Sequence, residues 1–312
     1  MNISRSIIAH IIVFLAFYLP SPGQDNNDYL TITYFENDTL SLELDYYKPD
    51  SLDDKAPLVI FMHGGGFSGG NRSYGRPFCQ FMADSGIHAA TISYSLNMKG
   101  RNFSCEGERS EKIRTIQLAA FQARIATDWF IRHAGEFQID TSCIFLAGSS
   151  AGAEAVLQAA FWDTGVANYF PDTLSDDFTY AGVISGAGAL LDINMINKQT
   201  AIPVICYHGT CDPLVPYHIA PHHYCNQIAP GFLMMFGGLA IHEKLGDLGV
   251  SSQLMTYCNE GHTHAGTPFN WPERYTVLDF IQRTIKGEYF YIHRIFNNGR
   301  ECNLALDFPF CY

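Results

Sequence analysis

The sequence predicts an α/β fold in which a mostly parallel central sheet carries helices on both faces. Short apolar runs alternate with amphipathic helical stretches along most of the 312 residues, the pattern of strand–helix–strand units. The central runs are continuously apolar, as strands covered on both faces are. Two glycine-rich segments directly follow such runs, at the carboxyl edge where open parallel sheets bind ligands.

The elements follow in order. Residues 29–34 and 40–47 alternate apolar and polar side chains, as half-buried antiparallel strands do. Residues 49–56 are a polar turn, and 58–62 are a covered strand. A helix over 77–85 leads to a strand over 88–93, and 97–110 is polar and irregular, a surface loop. Residues 111–133 form a long helix, with Ile113, Ile116, Ala120, Phe121, Ile125, Trp129 and Phe130 at helical spacing. A strand over 143–147 runs into an alanine-rich helix over 150–161, and 163–177 is a polar excursion. Strands follow over 181–185 and 203–207, a helix over 236–248, the last strand over 253–257, and a closing helix over 272–286.

Composition narrows the function. The formal net charge of −12 is opposed to nucleic-acid binding, which needs a clustered basic face. Arg5, the apolar run over 7–19, the break at Pro20 and the small residues Ser21 and Gly23 read as a signal peptide over 1–23, cleaved after Gly23. The run is shorter than the roughly 20 residues a bilayer span needs. A secreted or periplasmic protein with one domain over 24–312 and no membrane anchor is therefore expected.

Export permits disulfides, and the nine cysteines are an odd number, so at least one thiol stays outside any internal bridge. Cys143, Cys206 and Cys258 lie in apolar runs and read as inert core thiols. Cys79, Cys105, Cys211, Cys225, Cys302 and Cys311 remain for pairing, with Cys302–Cys311 and Cys211–Cys225 as the expected bridges. No CxxC or Cys/His array has zinc-site spacing.

The chemistry concentrates in two motifs. Gly148-Ser149-Ser150-Ala151-Gly152 fits G-x-S-x-G and lies between a buried strand and a helix. A tight turn there exposes the Ser150 hydroxyl. His63-Gly64-Gly65-Gly66-Phe67 ends the 58–62 strand, and its backbone can approach a ligand closely enough to stabilise an oxyanion. It lacks the lysine of a phosphate loop. Gly64, Gly66 and Gly69 match dinucleotide spacing, but residues 70–75 do not start a helix. Ser150 as nucleophile would use the N–H groups of Gly65, Gly66 and Ala151 as oxyanion donors.

A serine hydroxyl needs a base at neutral pH. His262 lies in the loop after the last strand, at the sheet's carboxyl edge, with His264 as the alternative. Asp212, after the 203–207 strand, is the expected acid, with Asp192 as the alternative. His63 is expected to hold the glycine loop. His218, His222 and His223 form a cluster interrupted by Pro216 and Pro221 and read as a solvated loop.

These motifs resemble the α/β-hydrolase superfamily, and more narrowly the HGGG-type carboxylesterases related to hormone-sensitive lipase and to bacterial feruloyl and acetyl esterases. The resemblance covers roughly residues 40–286 and includes Leu44-Asp45-Tyr46-Tyr47-Lys48-Pro49 and Phe137-Gln138-Ile139-Asp140. It implies a triad of Ser150, Asp212 and His262 in the chain order of that fold. Ser149 and Ala153 stand where the hormone-sensitive branch has Asp and Gly, and no sizeable helical cap precedes the sheet, which favours the wider carboxylesterase group. The implied activity is hydrolysis of carboxylic esters through an acyl-enzyme, with neither metal nor organic cofactor. Small-molecule esters and acyl or feruloyl esters of carbohydrates are the candidate substrates. An amidase or peptidase with the same triad, or a non-catalytic binding module on the same fold, are the alternatives. Matched ester and amide substrates would separate the first, and organophosphate labelling the second. Residues 97–110 and 217–235 are expected to wall the acyl pocket; the oligomeric state is not legible.

Overall fold

A computed structural model describes residues 28–52, 54–162, 169–304 and 308–312. The expected leader over 1–23 lies outside the described residues, as do residues 163–168 of the polar excursion. Strands β1 (Leu30–Asn37) and β2 (Leu40–Tyr47) form an antiparallel hairpin. Asn37 Oδ1 closes its turn by accepting the N–H groups of Thr39 and Leu40, a turn role suited to asparagine.

The helical and strand units then alternate. Strand β3 (Ala56–Met62), helix α1 (Arg76–Asp84), strand β4 (His88–Ile92), helix α2 (Arg109–Arg132), the short helix α3 (Ala134–Phe137), strand β5 (Ile139–Ser149) and helix α4 (Ala151–Ala160) make the first half. Strands β6 (Gly182–Gly186), β7 (Ala189–Leu190), β8 (Val204–Gly209), β9 (Ile219–Pro221) and β10 (Met234–Gly237) follow. Helix α5 (Gly238–Asp247), strand β11 (Ser252–Cys258), helix α6 (Arg274–Ile285) and strand β12 (Tyr291–Asn297) complete the chain.

The main sheet has nine strands in the order β1-β2-β4-β3-β5-β6-β8-β11-β12. The β1/β2 and β2/β4 pairs are antiparallel and all the others parallel. One face packs α2, α4 and α5 through Ile116, Val156 and Ile241. The opposite face packs α1 and α6 through Phe78, Met82, Val277 and Phe280. This is the predicted class.

Two features escape the pattern reading. Strand β12 is an edge strand that leaves Arg294, Ile295, Phe296 and Asn297 exposed. Such a strand lacks the continuous apolar signal of a covered one. The three-stranded sheet β7-β10-β9 is made of pieces too short for periodicity to register.

The cysteine pairing also differs from expectation. Bridges join Cys105 to Cys225, Cys211 to Cys302 and Cys258 to Cys311, leaving Cys79, Cys143 and Cys206 as thiols. Neither Cys302–Cys311 nor Cys211–Cys225 forms. Cys258 ends β11 beside the returning tail and is bridged, whereas Cys79 lies in the core on α1. Two of these bridges tie the C-terminal tail to the loop after β8 and to the end of β11.

Candidate active site

The Ser150 turn is built by close backbone approach. Ser150 adopts φ 53° and ψ −124°, a region costly for a side-chain-bearing residue and found where function holds it. Its N–H donates to the Gly186 carbonyl at 2.7 Å. A Cβ on Gly152 would lie 2.2 Å from the Met62 carbonyl oxygen, and one on Gly148 2.4 Å from the Gly152 carbonyl oxygen. Gly152→Ala therefore forces backbone against backbone and should cost about 1–3 kcal/mol or more. The expected result is a thermal midpoint lowered by several degrees, read by circular dichroism; an unchanged midpoint would contradict the packing.

The candidate base and acid come from the loops after β11 and β8. His262 opens the turn His262–Phe269 after β11, and Asp212 follows β8. Ser150 Oγ lies 2.7 Å from His262 Nε2, and His262 Nδ1 lies 2.7 Å from Asp212 Oδ2. The fully buried Asp212 also accepts the N–H groups of Leu214 at 2.9 Å and Val215 at 3.1 Å through Oδ1. Burial alone would raise its carboxyl, but bonds from His208 and His262 hold it below the usual carboxylate range. Burial would lower His262; the bond and charge of Asp212 outweigh it, so the imidazole titrates above its ordinary 6.5.

The alternatives go elsewhere. Asp192 Oδ1 accepts the Asn194 N–H and caps the turn Ile193–Met195. His264 stacks on Tyr257, ring centroids 3.7 Å apart, with Nδ1 3.1 Å from Thr267 Oγ1. His63 holds the glycine loop, its Nδ1 2.7 Å from the Gly64 carbonyl and its ring stacked on Tyr94.

That loop packs directly on the Ser150 turn: a Cβ on Gly64 would lie 2.9 Å from the Ser149 carbonyl oxygen. Gly65, at φ +122°, and Gly66, at φ +58°, turn the backbone as only glycine readily can. The Gly65 carbonyl accepts the N–H groups of Ser68 and Gly69. Gly66, Ala151 and Ser150 line one cavity of about 390 Å³. Gly65 turns the loop without lining it. Ala151 is the first residue of α4, where backbone N–H groups have no partner within the helix.

The cavity's far walls are the two segments expected there. Arg101, Asn102, Phe103 and Ser104 come from one side and His222 and His223 from the other. The Cys105–Cys225 bridge ties these walls together.

Comparison with known proteins places this arrangement. The BD-FAE family model matches residues 44–200, just over half of the chain. The chain belongs to the BD-FAE family. Its domain is an esterase domain of the α/β-hydrolase type. No curated protein matches in sequence. Among solved structures, Thermogutta terrifontis esterase 2 phosphorylated by paraoxon is 19% identical, with TM-score 0.58, covering 83% of this chain and 93% of that one. The apo form of the same esterase is 19% identical with TM-score 0.57 and the same coverage, and its propionate-bound form 18% identical with TM-score 0.55. These likenesses establish the α/β-hydrolase fold. Family, fold and the serine–imidazole contact together make the chain a serine ester hydrolase.

Four further residues at the site carry little or no signal in the sequence. His222 is buried and His223 half-buried, and both line the cavity. The turn His222–Tyr224 is formed by a chain that the bridge at Cys225 and the His223 N–H to Leu214 carbonyl bond hold in place. Burial, then the neighbouring His222, pushes His223 down to about 3, so it stays neutral. Glu154, one helical turn beyond Ser150 on α4, is buried and lines the same cavity. His208 sits 3.5 Å from Asp212 and bonds the Val215 carbonyl through Nε2 at 3.1 Å. Only Glu154 carried a signal: a charge on an otherwise apolar alanine-rich helix face.

Proposed function

We propose that the protein is an exported carboxylic-ester hydrolase that works through an acyl-enzyme on Ser150. His262 removes the hydroxyl proton as Ser150 attacks the ester carbonyl, and Asp212 holds the imidazole tautomer and stabilises the imidazolium. Gly65, Gly66 and Ala151 serve as oxyanion donors, and protonated His262 gives its proton to the departing alcohol. Water then attacks the acyl-enzyme with His262 again as base, and the acid leaves. The alignment of Ser150, His262 and Asp212 through two 2.7 Å contacts carries this reading.

The signal-peptide pattern of residues 1–23 and the three bridges support export to an oxidising compartment. A cavity of about 390 Å³ walled by Phe103, Leu214 and Val215 together with serine, asparagine, arginine and histidine side chains suits small acyl groups and polar alcohols, carbohydrate esters among them. Rapid mixing with nitrophenyl butyrate should release a burst of nitrophenol equal to the enzyme concentration. Quenched enzyme should carry a butyryl mass on the Ser150 peptide. Butyryl transfer to another residue, with no label on Ser150, would overturn the assignment.

A further inference from the structure

The cavity beside Ser150 contains an unfinished polar contact. Glu154 is 1% exposed, yet its Oε1 has no hydrogen-bond partner among the described residues. His222 Nε2 comes within 3.2 Å of that oxygen but outside hydrogen-bonding geometry, and His222 Nδ1 is likewise unpartnered among the described residues. A buried carboxylate oxygen left without a donor is costly. Such a group persists where a ligand completes it.

The surroundings restrict what that ligand group can be. Lys112, fully buried on α2, donates Nζ to the Gly231 carbonyl at 2.9 Å and lies over the Phe103 ring. Its charge faces that of Glu154. Arg101, a second cation, lines the cavity. A charged substrate group of either sign would have a like charge beside it, Arg101 at the cavity wall or Glu154 itself, and would be desolvated at a cost as well. An uncharged donor meets neither penalty.

We propose that Glu154 is a specificity-determining residue whose free carboxylate oxygen accepts a hydrogen bond from an uncharged hydroxyl on the substrate. This rests on the ester-hydrolase reading and goes beyond it by assigning the group that distinguishes one ester from another. The Glu154 N–H bonds the Ser150 carbonyl at 2.9 Å, so the carboxylate stands at a fixed offset from the nucleophile. The hydroxyl it selects is therefore at a fixed distance from the scissile carbonyl, on the acyl or the alcohol side.

Two isosteric pairs test this, each exchanging a methyl for a hydroxyl. Ethylene glycol monobutyrate against propyl butyrate probes the alcohol side; ethyl β-hydroxybutyrate against ethyl isovalerate probes the acyl side. With kcat/KM normalised to each ester's rate with hydroxide, the wild type should prefer the hydroxyl-bearing member of one pair about tenfold or more. Glu154→Met should bring that ratio to within about threefold of unity, with Glu154→Gln between the two. A wild-type ratio near unity in both pairs, with Ser150-dependent turnover intact, would overturn the assignment. So would a wild-type ratio kept by Glu154→Met, or by Glu154→Leu where Glu154→Met fails to fold. Absence of Ser150-dependent hydrolysis of all four esters would instead sink the ester-hydrolase reading itself.

Discussion

Ser150→Ala should lower kcat for a short acyl ester by on the order of 10⁵–10⁶-fold while leaving the thermal midpoint close to that of the wild type. The size of the loss follows from what remains. Without the hydroxyl, His262 has no proton to remove and no covalent intermediate can form, so only binding and the oxyanion donors act. In comparable sites these retain roughly 10³–10⁴-fold over the reaction in water. The small effect on folding follows from the position. Ser150 is partly exposed, and among the described residues its side chain bonds His262 alone. Its backbone, at φ 53°, is no easier for alanine than for serine. The N–H bond to Gly186 and the helix start at Ala151 survive the change. Steady-state rates beside a circular-dichroism melt check both halves. Turnover within tenfold of wild type would show that another group is the nucleophile.

Residues 148–152 alone carry that expectation, because the motif states its own geometry: a covered strand, a turn too tight for Cβ atoms, and a helix. The same holds for His262 and Asp212. Each follows a buried strand directly, and strands β8 and β11 pair side by side in register from Ser252 opposite Val204. Their ends therefore deliver the two loops to one place. Local signals adjacent to strong strands were legible because strand termini in a parallel sheet define a common edge.

The parts that stayed hidden depend on contacts distant in sequence. Cys105 and Cys225 are 120 residues apart, and no local pattern tells a cysteine which partner the tertiary fold supplies. Cys258 has the sequence surroundings of a core thiol, and only the course of the tail past β11 makes it a bridge. His222 and His223 sit among prolines and polar residues, which reads as solvent exposure. The bridge to the opposite wall folds that segment inward over the cavity. Glu154 shows the limit from the other side: its helix was predicted and its burial was not, because Lys112 and His222 come from two other segments.

Asp212→Asn should reduce kcat by about 10⁴-fold with substrate binding little changed, and the pH profile identifies why. In the wild type the bond and charge of Asp212 hold the His262 imidazole above its ordinary 6.5, against the opposing effect of burial. Only the neutral imidazole can accept the Ser150 proton, so activity is lost as pH falls through this raised value, and the acid limb lies above 6.5. Asparagine removes the negative charge while keeping the shape. The restraint on His262 weakens, burial then dominates, and the acid limb should move to lower pH. The variant therefore loses rate at every pH, but proportionally least under acid conditions. Lost positioning accounts for the rest: an amide can present its NH₂ to His262 Nδ1, which favours the tautomer whose Nε2 carries a proton and cannot accept one from Ser150. The Leu214 and Val215 N–H groups reach Oδ1, not the Oδ2 that meets His262. A side-chain carbonyl can still satisfy them, and the loop after β8 should keep its conformation. A full rate profile from acid to alkaline pH decides the point. An acid limb unmoved in Asp212→Asn would mean that the carboxylate neither bonds nor charges the imidazole, and that another group sets the protonation of His262.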